Sequence, residues 1–308
     1  MHAKNDKQLP VIVPRLGLVC ITHTDAVRYR TVTRKRLLGF DVETQRRMLR
    51  ELYSDNLARL DRAIDFCLAN EIKLYRLTSA FFPFADDEIG EAVLDEVSDE
   101  TKRVGARINE ANLRLVLHPD QFVVLNSDSP HVIENSIKIL TMHARIFDML
   151  GQPRSSWAVM NIHGGKGDRA ARLIETIQNL PENIGSRLAL ENDEYTYGAE
   201  EILEVCRAAG VPFVFDAHHH VCRQKLSSYN DASVVEMFYA ARETWPRADW
   251  QLVHISNGRE HFNDRAHSEL VAVMPDIFRE APFIEIEAKH KELAIEKLRT
   301  EWLNAAVS

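Results

Sequence analysis

Eight short apolar runs alternate along the chain with longer stretches that carry apolar residues at three- and four-residue spacing. The runs are rich in Val, Ile, Leu and Phe, which is typical of strands covered on both faces. They lie at 16–21, 73–79, 114–118, 158–163, 187–191, 212–216, 250–256 and 283–287. The spacing in the intervening stretches, as at 43–70 and 136–150, predicts amphipathic helices.

This alternation of strands and helices predicts a parallel sheet. Eight strands can close a (β/α)8 TIM barrel, and a length of 308 residues suits that fold as one domain. An open doubly wound sheet is the alternative, but no G-x-G-x-x-G sequence follows the first run. We therefore expect a single α/β barrel domain over 1–308, with 1–10 a flexible tail and the active site at the C-terminal strand ends.

Composition limits the classes of protein that fit. A hydrophobic fraction of 45% with 27% charged residues excludes a disordered or collagen-like chain. The stretch 11–21 is interrupted by Pro14 and Arg15 and is too short to span a bilayer, and no signal-peptide pattern precedes it. Four scattered cysteines without C-x-x-C spacing predict free thiols in a reducing compartment. We expect a cytoplasmic protein with no membrane association.

Six consecutive runs, from the third to the eighth, end on or carry a residue type that binds metals. In chain order these residues are His118, His163, Glu191, Asp216, His254 and Glu287. The C-terminal strand ends of a barrel converge on one face, where burying three carboxylates is costly unless cations neutralise them. Mixed imidazole and carboxylate ligands favour Zn, Mn or Fe over Ca or Mg. The sequence predicts a divalent metal cluster; a His–carboxylate hydrogen-bond network without metal is the alternative.

Side-chain alternation along the strands refines this prediction. Ala189 is small enough for a crowded barrel interior. In the last run, Ile284 and Ile286 are expected to face the helices, which directs Glu285 and Glu287 inward.

Two histidine-bearing segments leave the ligand choice open. Asp216 and His219 can serve one cluster only if the strand ends there and the chain turns, and the roles of His218 and His220 are undecided. After the seventh run, three residues of one loop could complete a further metal site: His261, Asp264 and His267.

A basic segment follows the first strand. Against a single acidic residue, Asp25, it carries Arg28, Arg30, Arg34, Lys35 and Arg36, with Tyr29 interleaved. Although the net charge of −8 excludes nucleic-acid binding by global charge, this loop is predicted to contact phosphate at the active face. A solvated surface loop is the alternative.

Six motifs in order resemble the UV damage endonuclease family over roughly residues 15–292. They are HPDQF (118–122), HGGKG (163–167), LENDE (190–194), FDAHHH (215–220), VHISNG (253–258) and EAKHKE (287–292). The family is similar to the AP endonuclease IV group. The resemblance implies a DNA repair nuclease that nicks immediately 5′ to cyclobutane pyrimidine dimers or 6-4 photoproducts, and often acts at abasic sites. Its products are a 3′-hydroxyl and a 5′-phosphate.

The resemblance also implies a set of two to three divalent ions, Mn²⁺ by preference with Zn²⁺ allowed. One ion would be held by His118, His163 and Glu191, with Glu191 bridging to a second held by Asp216, His254 and Glu287. A third would be held by His219 and His267. Gln121 and Phe122 match the positions whose side chains wedge into the duplex, although the family often has Tyr where Phe122 stands.

We expect Glu191 to contribute to catalysis by holding metal ions. Lys289 is expected to contribute by supplying positive charge to the phosphate. A solvated lysine is the alternative for Lys289. The expected partner is damaged double-stranded DNA, with no nucleotide cofactor and a monomeric protein. The rival functions are a metal-dependent sugar isomerase or epimerase, which uses the same barrel, and a non-catalytic damage-binding module.

Overall fold

A computed structural model, which describes residues 13–120 and 122–304, shows a closed barrel of eight parallel strands in chain order. Each predicted run coincides with one strand, although β1 begins one residue before its run. The strands are β1 Arg15–Val19, β2 Leu74–Leu77, β3 Arg114–Leu117, β4 Met160–His163, β5 Leu188–Glu191, β6 Phe213–Asp216, β7 Leu252–Ile255 and β8 Phe283–Ile286. Pairing of β1 with β8, with Gly17 opposite Glu285, closes the sheet and rules out the doubly wound alternative. The predicted tail at 1–10 lies outside the described residues.

Helices connect the strands on the outside of the barrel. In chain order they are α1 Arg34–Leu37, α2 Val42–Ala69, α3 Glu88–Glu96, α4 Ser98–Glu110, α5 Pro130–Met149, α6 Ala170–Gln178, α7 Glu182–Gly185, α8 Ala199–Ala209, α9 Ala217–Gln224, α10 Ala232–Arg242 and α11 Lys291–Leu298. Short 3-10 turns lie at Ala248–Trp250 and Asp276–Glu280, and a π-helical turn at Arg299–Leu303 follows α11. The predicted helix at 136–150 begins earlier, at Pro130, because proline suits a first helical turn where its missing N–H leaves no bond unmade. Within the described residues, no helix combines the length and apolarity needed to cross a bilayer.

The strands separate two apolar clusters. The larger lies between strands and helices and contains Ile284 and Ile286, as the alternation of β8 predicts. The smaller fills the lower barrel interior, away from the C-terminal strand ends, and includes Ala189 and Phe283. Because these residues occupy the lower interior, the polar side chains that face inward collect at the C-terminal strand ends.

Candidate metal centre

The ends of β3, β4 and β5 bring three predicted ligands together. His118, His163 and Glu191 each offer one ligand atom, and these atoms lie within 4.8 Å of one another. Nδ1 of His118 donates to the carbonyl of Pro119 at 2.9 Å, while its Nε2 lies 3.4 Å from Oε2 of Glu191. A histidine fixed in this way by one ring nitrogen presents the other to a metal ion.

Glu191 also belongs to a second group, with Asp216 and His254. Nδ1 of His254 lies 3.1 Å from Oε1 of Glu191. His254 further belongs to a third group, with Glu285 and Glu287, in which its Nδ1 lies 3.5 Å from Oε1 of Glu287. Glu191 is therefore shared between two groups of residues that could each hold an ion.

The turn after β6 decides which histidine of the FDAHHH motif faces the centre. The strand ends at Asp216, whose Oδ1 caps α9 by accepting the backbone N–H of His219 at 2.8 Å. The first helical turn then places Nε2 of His219 3.7 Å from Oε1 of Glu191. His218 and His220 are directed elsewhere and bond the hydroxyls of Tyr229 and Ser233.

The loop after β7 contributes one of its three candidates. Nδ1 of His267 lies 4.0 Å from Oε2 of Glu287. Asp264 instead closes its own turn by accepting the backbone N–H groups of Glu260 and Ala266, and His261 is exposed.

Three charged residues of the centre were missed as functional residues by the sequence analysis. They are Arg76, Glu285 and Glu194. Arg76 on β2 bonds both Glu285 and Glu287 inside the barrel. Oε2 of Glu194 lies 2.6 Å from Nδ1 of His219. The position of Arg76 within an otherwise apolar strand could have indicated a functional residue. Side-chain alternation along β8 already predicted that Glu285 faces inward. Nothing in the sequence pointed from Glu194 to His219 in particular.

Nearby cations keep three carboxylates of the centre, those of Glu191, Glu285 and Glu287, ionised. Burial acts to raise the pKa of Glu191, but His254 and His163 hold it well below its usual range. Burial likewise opposes ionisation of Glu285, yet Arg76 and His254 lower the pKa of that carboxyl to about 2. The same two cations lower the pKa of Glu287 despite its burial.

The residues fit a divalent cation. Oδ2 of Asp216 and Nδ1 of His163 are buried and have no hydrogen-bond partner among the described residues. Buried polar atoms without a partner are rare in native proteins, and an absent ion is one of the accepted reasons for them. Imidazole and carboxylate together form a donor set suited to Mn, Zn or Fe.

The candidate DNA-contacting residues fall into different environments. Phe122 is 69% exposed, whereas Gln121 lies outside the described residues. A cavity of about 740 Å³ opens beside the centre and is lined by both histidines of the first group, by His219 and by Tyr195. The centre is therefore open to a large ligand.

The basic segment after β1 is only partly as expected. Arg30 is exposed and pairs with Asp55 at 3.2 Å, and Arg28 pairs with Asp25. Tyr29, expected to face DNA, turns inward: its hydroxyl lies 2.7 Å from that of Tyr75, and its ring packs against core residues. An aromatic ring gains more from this packing than from exposure to water.

The lysine expected to assist catalysis is exposed. Lys289 turns its side chain to solvent, while its backbone N–H donates to the carbonyl of Ser268 at 3.0 Å. Lys291, two residues further on, is more buried and has a left-handed backbone with φ of +43°. Its pKa is lowered by burial.

The glycine-rich turn HGGKG is held by one side chain. Asn126 donates to the carbonyls of Gly164 and Lys166 and accepts the backbone N–H of Lys166 at 2.8 Å. Gly165 has φ of +77°, and a Cβ there would lie 2.5 Å from Oδ1 of Asn126. The glycines are thus explained by a tight turn, and the N–H of Lys166 is already bonded.

Comparison with known proteins shows the family of this chain. The family model described as UV-endonuclease UvdE matches residues 14–306. The chain is 56% identical over 292 residues to a UV DNA damage endonuclease of Nostoc sp., covering 94% of this chain and 91% of that protein. The crystal structure of SacUVDE superimposes with a TM-score of 0.74 at 25% identity, covering 93% of this chain and 98% of that one. Endonuclease IV from Thermus thermophilus shares the fold, with a TM-score of 0.59 at 15% identity over 95% of this chain and 100% of that one. The chain therefore belongs to the UV-endonuclease UvdE family.

Proposed function

We propose that this protein is a metal-dependent DNA repair endonuclease that nicks damaged double-stranded DNA immediately 5′ to UV photoproducts. Cyclobutane pyrimidine dimers, 6-4 photoproducts and abasic sites are the proposed substrates, and the products are a 3′-hydroxyl and a 5′-phosphate. The observation that carries the proposal is the buried His–carboxylate centre at the open mouth of the barrel. The name of the Nostoc relative supports the same substrate class.

Two to three ions, Mn²⁺ by preference with Zn²⁺ as the alternative, would be held by three sets of residues. One set is His118, His163 and Glu191; the second is Glu191, Asp216, His254 and Glu287; the third is His219 and His267. Bound divalent ions would lower the pKa of a water molecule and neutralise charge on the phosphate. Glu191, which is held ionised, would belong to both of the first two sets.

Lesion recognition would use the exposed rim of the barrel. A lesion that weakens base stacking lowers the cost of opening the duplex, and an aromatic side chain can fill the gap that is left. Phe122 is exposed enough to act in this way, and Gln121 precedes it in the chain. Arg28, Arg30 and Lys289 are the proposed contacts to phosphate. We further propose that the protein acts in the cytoplasm as a monomer.

The rival functions fit the site less well. A sugar isomerase shares the fold, but the match to the UV-endonuclease UvdE family over residues 14–306 and the 56% identical UV DNA damage endonuclease of Nostoc sp. favour a nuclease. A non-catalytic damage-binding module has no need for the two groups of ligand residues that share Glu191.

A nicking assay on supercoiled plasmid tests the proposal. UV-irradiated plasmid should be converted to the relaxed form with added Mn²⁺, and neither unirradiated plasmid nor an EDTA-treated sample should be. His118→Ala and Glu191→Ala should abolish nicking because each removes a proposed ligand. His131→Ala, at an exposed histidine of α5, is the matched control and should retain activity. Absence of metal-dependent nicking by the wild-type protein would refute the proposal.

A further inference from the structure

One of the three groups able to hold a metal ion already contains a cation. The side chains of His254, Glu285 and Glu287 surround the guanidinium of Arg76, which enters from β2. Nε of Arg76 lies 3.1 Å from Oε1 and 3.0 Å from Oε2 of Glu285. A terminal nitrogen of the same guanidinium contacts Glu287 and lies 3.2 Å from Nε2 of His254.

These residues are deeply buried. Arg76 is 8% exposed, Glu285 1% and His254 0%. A buried carboxylate without a positive partner is strongly destabilising, so Glu285 needs a permanent cation that does not depend on metal supply. A guanidinium meets this need for two carboxylates at once, because its planar fork carries several donors in fixed directions.

The two ring nitrogens of His254 face different partners. Nδ1 lies 3.1 Å from Oε1 of Glu191, on the side of the proposed metal centre, and Nε2 lies 2.5 Å from Oε2 of Glu285. Histidines that bind metals through one nitrogen usually donate the N–H of the other to a carboxylate, which fixes the ring. Glu285 occupies the place of that orienting carboxylate, and Arg76 holds Glu285.

We propose that Arg76 is the resident cation of this third group and acts, through Glu285, as a positioning residue for His254 and Glu287. The group is consequently not an ion site of the wild-type protein, although its ligand atoms have the spacing for one. This inference rests on the metal centre of the proposed function. It adds two residues that hold the ligands in place before any ion binds.

Equilibrium dialysis with Mn²⁺ tests which cation occupies the group. R76M leaves Glu285, Glu287 and His254 without their cation, so it should bind one more Mn²⁺ per chain than the wild type. R76M/E285Q, which lacks one of the three ligands, should return to the wild-type number. R103M, at an exposed arginine of α4, is the control for loss of an arginine and should match the wild type.

R76K tests positioning and guards against misfolding of R76M. The lysine keeps the charge but cannot bond both carboxylates in fixed directions. The Mn²⁺ dissociation constant, measured from the electron paramagnetic resonance signal of free Mn²⁺, should rise about tenfold, with an unchanged number of bound ions.

A wild-type Mn²⁺ count in folded R76M, or a wild-type dissociation constant in R76K, would overturn the inference. If R76M does not fold, the R76K measurement decides. Both measurements report binding and need no DNA. A failed plasmid assay would therefore refute the proposed reaction without affecting this result.

Discussion

Nδ1 of His219 lies 2.6 Å from Oε2 of Glu194, so only the opposite ring nitrogen, Nε2, faces Glu191 and Asp216. Burial opposes protonation of His219, but Asp216 and Glu194 raise its pKa to about 10. Glu194 therefore fixes the ring of His219, a proposed metal ligand, from the side away from the centre. The effect of Glu194 on metal binding can be measured.

Glu194→Gln should weaken Mn²⁺ binding by about 10- to 100-fold, because the amide no longer fixes and polarises the imidazole of His219. Titration of Mn²⁺ into metal-free protein measures this directly. Glu204→Gln, at an exposed glutamate of α8, is the matched control and should bind as the wild type does. Equal Mn²⁺ affinity in the two variants would show that Glu194 does not position His219.

Phe122→Ala should reduce lesion discrimination by about tenfold, since stacking of an aromatic ring on a base contributes roughly 1–3 kcal/mol. The ratio of nicking rates on irradiated and unirradiated plasmid measures discrimination. The melting temperature should not change, because the ring is 69% exposed. Leu68→Ala, at the end of α2 and 45% exposed, is the control and should leave the ratio unchanged. An unaltered ratio in Phe122→Ala would disprove the wedge role.

Arg30→Gln should reduce the salt dependence of DNA binding. Loss of one phosphate contact lowers the slope of log K against log salt concentration by about 1, with little effect on sequence preference. Fluorescence anisotropy with a labelled duplex at several salt concentrations gives the slope. Arg103→Gln removes a similarly exposed arginine that also pairs with an aspartate, but on α4. Identical slopes in the two variants would exclude Arg30 as a phosphate contact.

Arg114→Met should destabilise the fold by about 3 kcal/mol. The buried guanidinium donates to the carbonyls of Trp157, Trp250 and Ser156 at 2.8–3.0 Å, and these acceptors would lose a charged donor. Urea unfolding measures the loss. Because Arg114 begins β3, at the opposite end of the barrel from the metal centre, nicking per folded molecule should be unchanged. A loss below about 0.5 kcal/mol would show that the guanidinium is not needed for stability.

His143 should make the fold sensitive to acid. It is 2% exposed, and burial lowers its pKa from 6.5 to about 4. The folded state therefore binds fewer protons than the unfolded state. The contribution of neutral His143 to the free energy of unfolding is complete above pH 6.5 and is lost as the pH falls from there through 4. The shift corresponds to about 3 kcal/mol over that interval.

His143→Leu should remove this part of the pH dependence. Urea unfolding in EDTA at several pH values compares the variant with the wild type without interference from bound metal. His131→Leu, at an exposed histidine on the same helix, should keep the wild-type dependence. A His143→Leu protein that loses stability in acid as steeply as the wild type would contradict the assignment.

The sequence by itself determined the barrel and most of the candidate metal centre. Strand and helix periodicities are local properties, so eight runs and their alternation were enough to predict closure. A residue at the end of a barrel strand must lie on the active face, which made His163, Glu191 and Asp216 identifiable before any contact was known.

Only the tertiary structure decided which side chains meet across the barrel. Arg76 and Glu285 are 209 residues apart in the chain, and no local pattern pairs a residue of β2 with one of β8. The inward turn of Tyr29 depends on Tyr75 and Phe81 beneath it, and the choice of His219 depends on where α9 begins. Such contacts are fixed by packing between distant segments, because burial energy and hydrogen bonding act on neighbours in space, whichever part of the chain supplies them.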